Sequence, residues 1–476
     1  MKQLRHFIVG AVCCGAAISL AAQSTGPLQV LITDIHSSEN RWALKWSDAG
    51  VGFSYSVQAR TGLQEGIWIT PRSTLPWPIG VQQWVDVAEQ PYPSRFYRVV
   101  AVPIADRGRL VSEQEVLALT AAQINLLLAF TGVQMTVPHG VKVHKLTYET
   151  VDPWGGRTLA SGALAVPQNS GLSLALCSYQ HGTIARRNEA PSSSSSTEQL
   201  LGVVMGGSGY ATVLPDYLGL GDSPGVHPFH HAVSEATASV DMLRAARAWC
   251  ADYKVALNGQ LFLVGYSQGG HATMALHREL EEYHTNEFAV TASAPMAGAY
   301  DLSAVTTDDV LSGRSMPNQY YFAMLLASYQ AVYGLAASLP VLLASPYDTK
   351  LSPLLNGQHS ASEINAAMPA DPTRILKQEY LAAFRSQPDH PLRLALRDND
   401  LHRWTPKAPM RLYHCRADSD VIIRNSQAAR DSFRGRGATQ VELIDPDPSA
   451  DHDACSIPSL LLAKTWFDSF RLPNTP

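Results

Sequence analysis

Ten residues in the middle of the chain constrain its fold more than any other segment. Residues 261–270 form an apolar run that ends abruptly in Gly265-x-Ser267-x-Gly269, and a helical pattern begins at His271. Glycines two positions before and after a serine leave room for a strand-to-helix turn in which the serine backbone is strained. The segment therefore predicts a nucleophile elbow, with Ser267 standing above the end of a sheet strand. The apolar residues on both sides make the motif more specific than G-x-S-x-G alone.

Length and composition indicate a globular protein of more than one domain. The chain has 476 residues, of which 46% are hydrophobic and 16% charged, so it is long enough to bury a large core. Its formal net charge of −5 gives no sign of the basic surface that nucleic acids require. Nucleic acid is therefore not an expected partner.

The first residues have the pattern of a secretory signal. Lys2 and Arg5 precede an uncharged stretch over 7–22, which ends in small residues suited to cleavage. We expect residues 1–22 to be removed on export. No other stretch approaches the roughly 18 uncharged apolar residues that a membrane-spanning helix needs. The sequence thus predicts a secreted protein, extracellular or periplasmic, without a stable membrane anchor.

Residues 25–104 are predicted to form a small all-β sandwich. Apolar and polar residues alternate over 42–46, and glycines and prolines punctuate the segment at turn spacing. It resembles the fibronectin type III-like modules of secreted bacterial enzymes. Exposed aromatic residues such as Trp68, Trp77 or Trp84 would suit a carbohydrate or polymer surface, but aromatic residues in a sandwich are more often core.

Residues 105–476 alternate strand and helix patterns, as in a largely parallel sheet covered by helices. A helix is predicted over about 112–130, opened by a capping box of Ser112 and Glu115. Long apolar helical stretches interrupt the alternation at about 301–398, and the sheet then resumes. Because an insertion here covers the carboxyl ends of the strands, we expect a helical cap. A separate third domain is the alternative, and it is less favoured because the chain must return to supply the last two sheet strands.

A serine nucleophile needs a histidine to take its proton and a carboxylate to hold that histidine. After an elbow of this kind the chain order is serine, acid, histidine. The strand 411–414 is followed by two acidic residues, Asp418 and Asp420. Asp418 is the preferred acid because it lies just past the strand, three residues before Val421, and Asp420 is the alternative.

His452 is the only histidine after the final predicted strand, 440–444, which makes it the candidate base. A helix is predicted to begin after it, near Pro458. The acidic neighbours Asp451 and Asp453 are expected to raise its basicity. Most other histidines, including the cluster at 227–231, are read as surface or core residues, and no metal is expected.

Acyl transfer also needs two backbone N–H groups that face the developing oxyanion. One is expected from the residue after the nucleophile, Gln268. The other is expected after an early strand, where Thr183 is the preferred donor and Gly182 the alternative. Because both donors are main-chain groups, the path of each loop matters more than its side chains.

Removal of the signal leaves four cysteines: Cys177, Cys250, Cys415 and Cys455. Four cysteines allow three pairings, and their spacing fits no zinc site. Cys415 and Cys455 flank the loops of the candidate acid and histidine, which must meet in space. The predicted disulfide is therefore Cys415–Cys455, and Cys177 is read as a buried small residue.

Five motifs occur together between residues 140 and 470. They are Ser178-Tyr179-Gln180-His181-Gly182-Thr183, Pro215-Asp216-Tyr217-Leu218-Gly219-Leu220-Gly221, His227-Pro228, Gly265-Tyr266-Ser267-Gln268-Gly269-Gly270-His271 and Ala297-Gly298-Ala299-Tyr300-Asp301-Leu302. With them this part of the chain resembles the capped α/β-hydrolases of the secretory lipase type, related to fungal lipase A, and their bacterial relatives. The resemblance implies an α/β fold, with an α/β-hydrolase sheet and a helical cap.

That resemblance implies a secreted carboxylic-ester hydrolase that acts on acyl esters without a cofactor, through Ser267, Asp418 and His452. Two features depart from the pattern. The acid loop ends in Val421-Ile422 where a proline is usual, and the β module in front is not typical of these lipases. The second departure allows a polymer or glycoside ester as substrate in place of a triglyceride.

Two other functions stay open at this point. A peptidase of the same fold would need a site for a peptide terminus or a proline-like side chain, and the sequence has no motif for one. A binding or adhesion protein with an inactive hydrolase domain would be expected to lack a member of the triad. Because all three candidate residues are present, an ester hydrolase is the preferred prediction.

Overall fold

A computed structural model describes residues 28–38, 41–62, 66–87, 95–168 and 171–472. The predicted signal peptide, residues 1–22, lies outside the described residues. None of the helices in the described ranges is both long and apolar enough to cross a membrane.

The first part of the described chain consists of short antiparallel strands. They are β1 (Leu28–Gln29), β2 (Ile32–Ser38), β3 (Arg41–Trp46), β4 (Phe53–Arg60), β5 (Gln83–Val85) and β6 (Phe96–Pro103). Among described residues, the order β1-β6-β4 forms one sheet and β2-β3-β5 another. Alternation places Leu44, Trp46, Tyr55 and Trp84 in a common core between them.

The three tryptophans considered for surface binding differ in their surroundings. Trp84 is 2% exposed and belongs to the core of the two small sheets. The guanidinium groups of Arg60 and Arg98 lie 4.5 and 4.3 Å from the ring centroid of Trp68. Trp77 is half-buried. Trp84 is therefore a packing residue, and Trp68 is a partner of cationic side chains.

The main sheet and its helices follow. Their bounds are β7 (Leu110–Leu119), α1 (Ala121–Phe130), β8 (Val141–Val151), β9 (Arg157–Pro167), β10 (Leu174–Gln180), α2 (Gln199–Gly207), β11 (Tyr210–Pro215), α3 (Ala232–Asp252), β12 (Leu257–Tyr266), α4 (Gln268–Tyr283) and β13 (Val290–Met296). β8 and β9 pair as an antiparallel hairpin, and every residue of β11 is buried.

A helical insertion separates β13 from the last two strands. It contains a π-helical turn (Leu302–Thr306), α5 (Thr307–Leu311), α6 (Tyr320–Tyr333), α7 (Leu339–Leu342), α8 (Tyr347–Lys350), α9 (Ala361–Ala366), α10 (Gln378–Ser386) and α11 (Pro391–Asp398). The chain then returns as β14 (Met410–Tyr413), α12 (Arg424–Gly435), β15 (Val441–Ile444) and α13 (His452–Asp468). The insertion has its own apolar core, and it is called the cap below.

The sheet order over the described part of the chain is β15-β14-β13-β12-β10-β11-β9-β8-β7. The six strands from β15 to β11 are parallel, and the three that follow are antiparallel. β11 pairs with one edge of β10, and β12, the next strand in the chain, pairs with the other edge. Such a reversal leaves a crevice at the carboxyl ends of the strands, which is where α/β sheets bind ligands.

The segment before the β8–β9 hairpin differs from the prediction. Residues 110–119 form edge strand β7, paired with β8, and not the first half of a helix. The helix begins afterwards, and its capping box is Thr120 and Gln123. Ser112 and Glu115 have the same spacing as Thr120 and Gln123, so the sequence offered two capping boxes. Backbone pairing with β8 decides between them.

The small sheets contact the rest of the molecule directly. Ile67 packs into the core of the cap. The Tyr283 hydroxyl, at the end of α4, donates to the carbonyl oxygen of Ser73 (2.8 Å), and Arg107 donates to the carbonyl oxygen of Trp77 (3.2 Å).

Candidate active site

The elbow has the backbone that its glycines predict. Ser267 lies between β12 and α4 with φ 61° and ψ −120°, a conformation that costs a residue with a side chain about 1–3 kcal/mol. A Cβ atom on Gly269 would lie 1.9 Å from the carbonyl oxygen of Gln180, and one on Gly270 would lie 2.1 Å from that of Met296. Main chain of the adjoining strands β10 and β13 therefore packs directly against the start of α4.

The structure brings Ser267, His452 and Asp418 together from three separate strand ends. His452 Nε2 lies 2.8 Å from Ser267 Oγ, and His452 Nδ1 lies 2.6 Å from Asp418 Oδ2. All three side chains are at most 7% exposed. This is the geometry in which a histidine can take a proton from a serine while a carboxylate holds its tautomer.

Asp418 is held in place from several sides. The backbone N–H groups of Asp420 and Val421 donate to its Oδ1 at 3.0 and 2.9 Å. His414 Nε2 lies 3.3 Å from its Oδ2. Burial alone would raise the pKa of Asp418, but hydrogen bonds and charge interactions with His414 and His452 lower it well below its usual range. The carboxylate is therefore ionised when it faces His452.

His452 is the first residue of α13, and the helix begins six residues earlier than predicted. Asp451 caps it by accepting from the Ala454 N–H at 2.9 Å, and Pro458 lies inside the helix. Burial alone would lower the pKa of His452. The hydrogen bond and charge of Asp418, with the charges of Asp420 and Asp453, outweigh burial and raise this pKa above the ordinary histidine value.

Asp420, the alternative acid, faces the cap. Its two oxygens accept from the backbone N–H and the side-chain amide of Asn318, at 3.2 and 2.8 Å. The next residue, Val421, packs against the apolar core of the cap. The acid loop thus supplies Asp418 to the histidine and Asp420 to the insertion above it.

A disulfide joins Cys415 to Cys455, the predicted pairing, across 40 residues of sequence. It ties the segment before Asp418 to the first turn of the helix that begins with His452. Cys177 and Cys250 are free and buried. Burial raises the pKa of the Cys250 thiol to about 12, so that thiol is protonated at neutral pH.

The two candidate oxyanion donors follow neighbouring strands. Gln268 is the first residue of α4, where a backbone N–H has no acceptor within the helix. Thr183 lies three residues past the end of β10, which pairs with β12 through Gln180 and Gly265. Both donors therefore follow the carboxyl ends of paired strands at the reversal point of the sheet.

Sequence reasoning missed the residues that support this site from behind. His414 contacts Asp418, and the Tyr266 hydroxyl donates to the His452 carbonyl oxygen at 2.7 Å. Glu235 lies beneath the elbow at 1% exposure. A histidine at the end of the strand that leads to the candidate acid, as His414 directly follows β14, is the sequence signal that could have indicated the first of these.

Two buried groups in the described chain have side chains of the metal-binding type. They are His230, Glu235 and His271, and Asp301, Asp400 and His402, each with its ligand atoms within 4.8 Å of one another. His271 and Glu235 already hydrogen-bond each other at 2.7 Å, and Asp400 accepts from Ser303. His271, Glu235 and Asp400 thus have protein partners, and the three histidines at positions 227, 230 and 231 are buried.

Comparison with known proteins supplies the family. No protein-family model matches the chain, and no curated protein matches its sequence. Solved structures do match. The rice cell wall degrading esterase LipA of Xanthomonas oryzae is 29% identical over 77% of this chain and 100% of its own, with a TM-score of 0.70. A point variant of LipA matches 77% of this chain and 100% of its own at 30% identity, with a TM-score of 0.70.

The chain belongs to the LipA esterase family. A protein of Legionella pneumophila assigned as a hydrolase also matches, at 27% identity over 77% of this chain and 99% of its own, with a TM-score of 0.72. Candida antarctica lipase A in its closed state is 16% identical over 77% and 83%, with a TM-score of 0.57, which shows a shared fold. Like LipA, the chain is a hydrolase of the esterase and lipase type.

Proposed function

We propose that this chain is a secreted serine carboxylic-ester hydrolase that works through an acyl-enzyme. The observation that carries the proposal is the pair of contacts made by the His452 ring. Its Nε2 lies 2.8 Å from Ser267 Oγ, and its Nδ1 lies 2.6 Å from Asp418 Oδ2. Secretion is supported by the predicted export signal and by the Cys415–Cys455 disulfide, since disulfides persist in oxidising compartments.

In the first half-reaction Ser267 Oγ attacks the ester carbonyl carbon while His452 Nε2 takes the hydroxyl proton. The carbonyl oxygen becomes an oxyanion held by the backbone N–H groups of Gln268 and Thr183. His452 then gives its proton to the departing alcohol, and the acyl group stays on Ser267. In the second half-reaction water repeats these steps and releases the acid.

The substrate class we propose is acyl esters, including esters of plant or microbial polymers. Its support is the similarity to LipA, a rice cell wall degrading esterase, together with the small sheets in front of the hydrolase. Every step uses side chains and main-chain donors of the chain itself, and the proposed chemistry requires no cofactor.

The test is hydrolysis of p-nitrophenyl esters from acetate to palmitate by protein lacking residues 1–22. Ser267→Ala should reduce turnover by about 10³-fold or more, because the nucleophile is lost. Ser194→Ala, at an exposed serine, is the matched control and should keep full activity.

A fluorophosphonate probe should label Ser267 in the wild type and nothing in Ser267→Ala. The preferred chain length would separate a lipase from a short-acyl esterase. Full activity in Ser267→Ala would contradict the proposal, and so would a wild type inert towards every ester, which would favour a peptidase or a binding protein.

A further inference from the structure

A buried carboxylate lies directly beneath the nucleophile elbow. Glu235, in the first turn of α3, is 1% exposed. Its Oε1 accepts from the Gln268 side-chain amide at 3.0 Å, and its Oε2 lies 2.7 Å from His271 Nδ1. His271 Nε2 in turn lies 3.1 Å from the Asn399 carbonyl oxygen. One carboxylate therefore contacts two residues of the first turn of α4.

The Gln268 amide is oriented by its partners. Its Nε2 also lies 2.7 Å from His227 Nε2, while His227 Nδ1 lies 2.8 Å from the Leu218 carbonyl oxygen. Because a carbonyl oxygen only accepts, the ring proton of His227 is on Nδ1, and Nε2 accepts from Gln268. Both amide hydrogens of Gln268 are thus used, and turning the amide over would set its oxygen against the carboxylate of Glu235.

The same contacts continue to the loop that carries Thr183. The ring of His227 is stacked on that of Tyr217 with 10° between their planes. Tyr217 packs against His181 at 4.2 Å between ring centroids, and its hydroxyl donates to the His181 carbonyl oxygen at 3.3 Å. His181 lies two residues before Thr183. This chain of contacts uses two motifs, around Tyr217 and His227, that the catalytic relay leaves unexplained.

We propose that Glu235 is a positioning residue for the oxyanion hole, an inference that rests on the proposed function. Glu235 holds the Gln268 side chain, and thereby the backbone N–H of the same residue, at the start of α4. His227, Tyr217 and His181 link that point to the second donor at Thr183. Donors of this kind stabilise a transition state only when they are held within about 0.5 Å of the productive geometry.

The first test compares Glu235→Ala and Gln268→Ala with wild type on a p-nitrophenyl ester. Removing an oxyanion donor costs about 10²–10³ in kcat, so loosening one should lower kcat by about 10–100-fold with KM within about 3-fold. The matched control is Glu281→Ala. Glu281 lies on α4, the helix that begins with Gln268, and its Oε1 lies 3.0 Å from Nε2 of buried His277. Because Glu281 does not contact Gln268, its loss should change stability and not kcat.

Glu235→Gln separates positioning from packing. Its carboxamide oxygen can accept from Gln268, and its NH₂ can donate to His271 Nδ1 when the ring proton is on Nε2. Every hydrogen bond is retained, so kcat should stay within about 3-fold of wild type. This variant also serves if Glu235→Ala fails to fold.

Two further readouts test the route through Gln268. The double variant Glu235→Ala/Gln268→Ala should be no slower than the worse single variant, because both changes remove one tether. Affinity for a trifluoromethyl ketone, which forms a tetrahedral oxyanion on the serine, should weaken by the factor by which kcat falls.

Additive losses in the double variant, or unchanged kcat and ketone affinity in Gln268→Ala, would overturn the positioning role while leaving the ester hydrolase intact. A wild type inactive on every ester would overturn both proposals.

Discussion

Two carboxylates of one short loop have different partners at this site. Asp418 receives two backbone N–H groups and faces His452, whereas Asp420 is bound to Asn318 of the cap. The sequence favoured Asp418 from its distance to the strand, and the structure places it against the histidine. The direction in which Asp420 points was not predictable, because Asn318 lies 102 residues away in the chain.

Asp418→Asn should lower kcat by about 10³–10⁴-fold, since an amide does not hold the required tautomer of His452. Asp420→Asn should lower kcat by less than about 10-fold, because Asp420 acts on His452 through its charge alone. The measurement is kcat on one ester for both variants, with thermal unfolding as the control for folding. The reverse ranking would make Asp420 the acid.

The raised pKa of His452 sets the pH dependence of activity. The histidine must be neutral to take the serine proton, so kcat/KM should rise with pH through a single ionisation with a midpoint above the ordinary value of 6.5. Asp420→Asn removes a charge that raises this pKa and should move the midpoint to lower pH. A pH profile of both proteins checks this, and a midpoint that does not move would show that Asp420 has no influence on the base.

The same shift affects folding stability in the opposite sense. Because the folded-state pKa of His452 is raised, this histidine contributes to the free energy of unfolding. That contribution is fully present at pH values below the unfolded-state pKa and is lost as pH rises through the folded-state pKa. For Asp418 the pKa is lowered, so its contribution is present above the unfolded value of 3.8 and is lost as pH falls through the folded value.

At the scale of elements, sequence patterns succeeded where an apolar run was buried on both faces. The elbow strand was predicted because such a strand has few alternatives. The patterns failed at element ends. Two capping boxes competed before α1, and Pro458, which favours a first turn, lies inside α13. Tertiary pairing and the cap at Asp451 decided these boundaries, and single-residue preferences are weak beside them.

The disulfide is the element-scale feature with the most direct test. Cys415 and Cys455 are 40 residues apart, and closing such a loop stabilises a folded chain by about 4 kcal/mol in the chain-entropy treatment. Replacing both with serine should therefore lower the free energy of unfolding by about this amount and reduce kcat, because the segments of Asp418 and His452 lose their covalent link.

Urea unfolding and ester turnover measure the two effects of that double replacement. A thiol reductant should have the same effects on wild type and none on the double variant. Equal stability of the oxidised wild type and the double variant would contradict the expectation.

For the whole molecule, what sequence reasoning could not supply is the support that comes from distant segments. Glu235 and His271 are 36 residues apart, and Ser267 and His452 are 185 apart. The elbow can be recognised in the sequence because its strained turn requires glycines at fixed positions on both sides of Ser267. A buried glutamate in a helix has no such local requirement, so its role became visible only when packing placed it under Gln268.

The contacts between the small sheets and the hydrolase predict that they unfold together. Ile67 lies in the core of the cap, and Ile79 lies in the core of the small sheets, both at most 5% exposed. Either isoleucine replaced by alanine should lower the free energy of unfolding by about 2–5 kcal/mol. If the interface couples the two parts, each substitution should lower the urea midpoint for loss of activity.

Ile67→Ala and Ile79→Ala are matched in chemistry and differ in location, which makes the comparison informative. In Ile79→Ala the change is outside the hydrolase, so loss of activity at lower urea means that the small sheets stabilise the active site. Tryptophan fluorescence and activity should then follow one transition in all three proteins. Two separate transitions in Ile79→Ala, with the activity midpoint unchanged, would show that the small sheets unfold independently and that the hydrolase remains active without them.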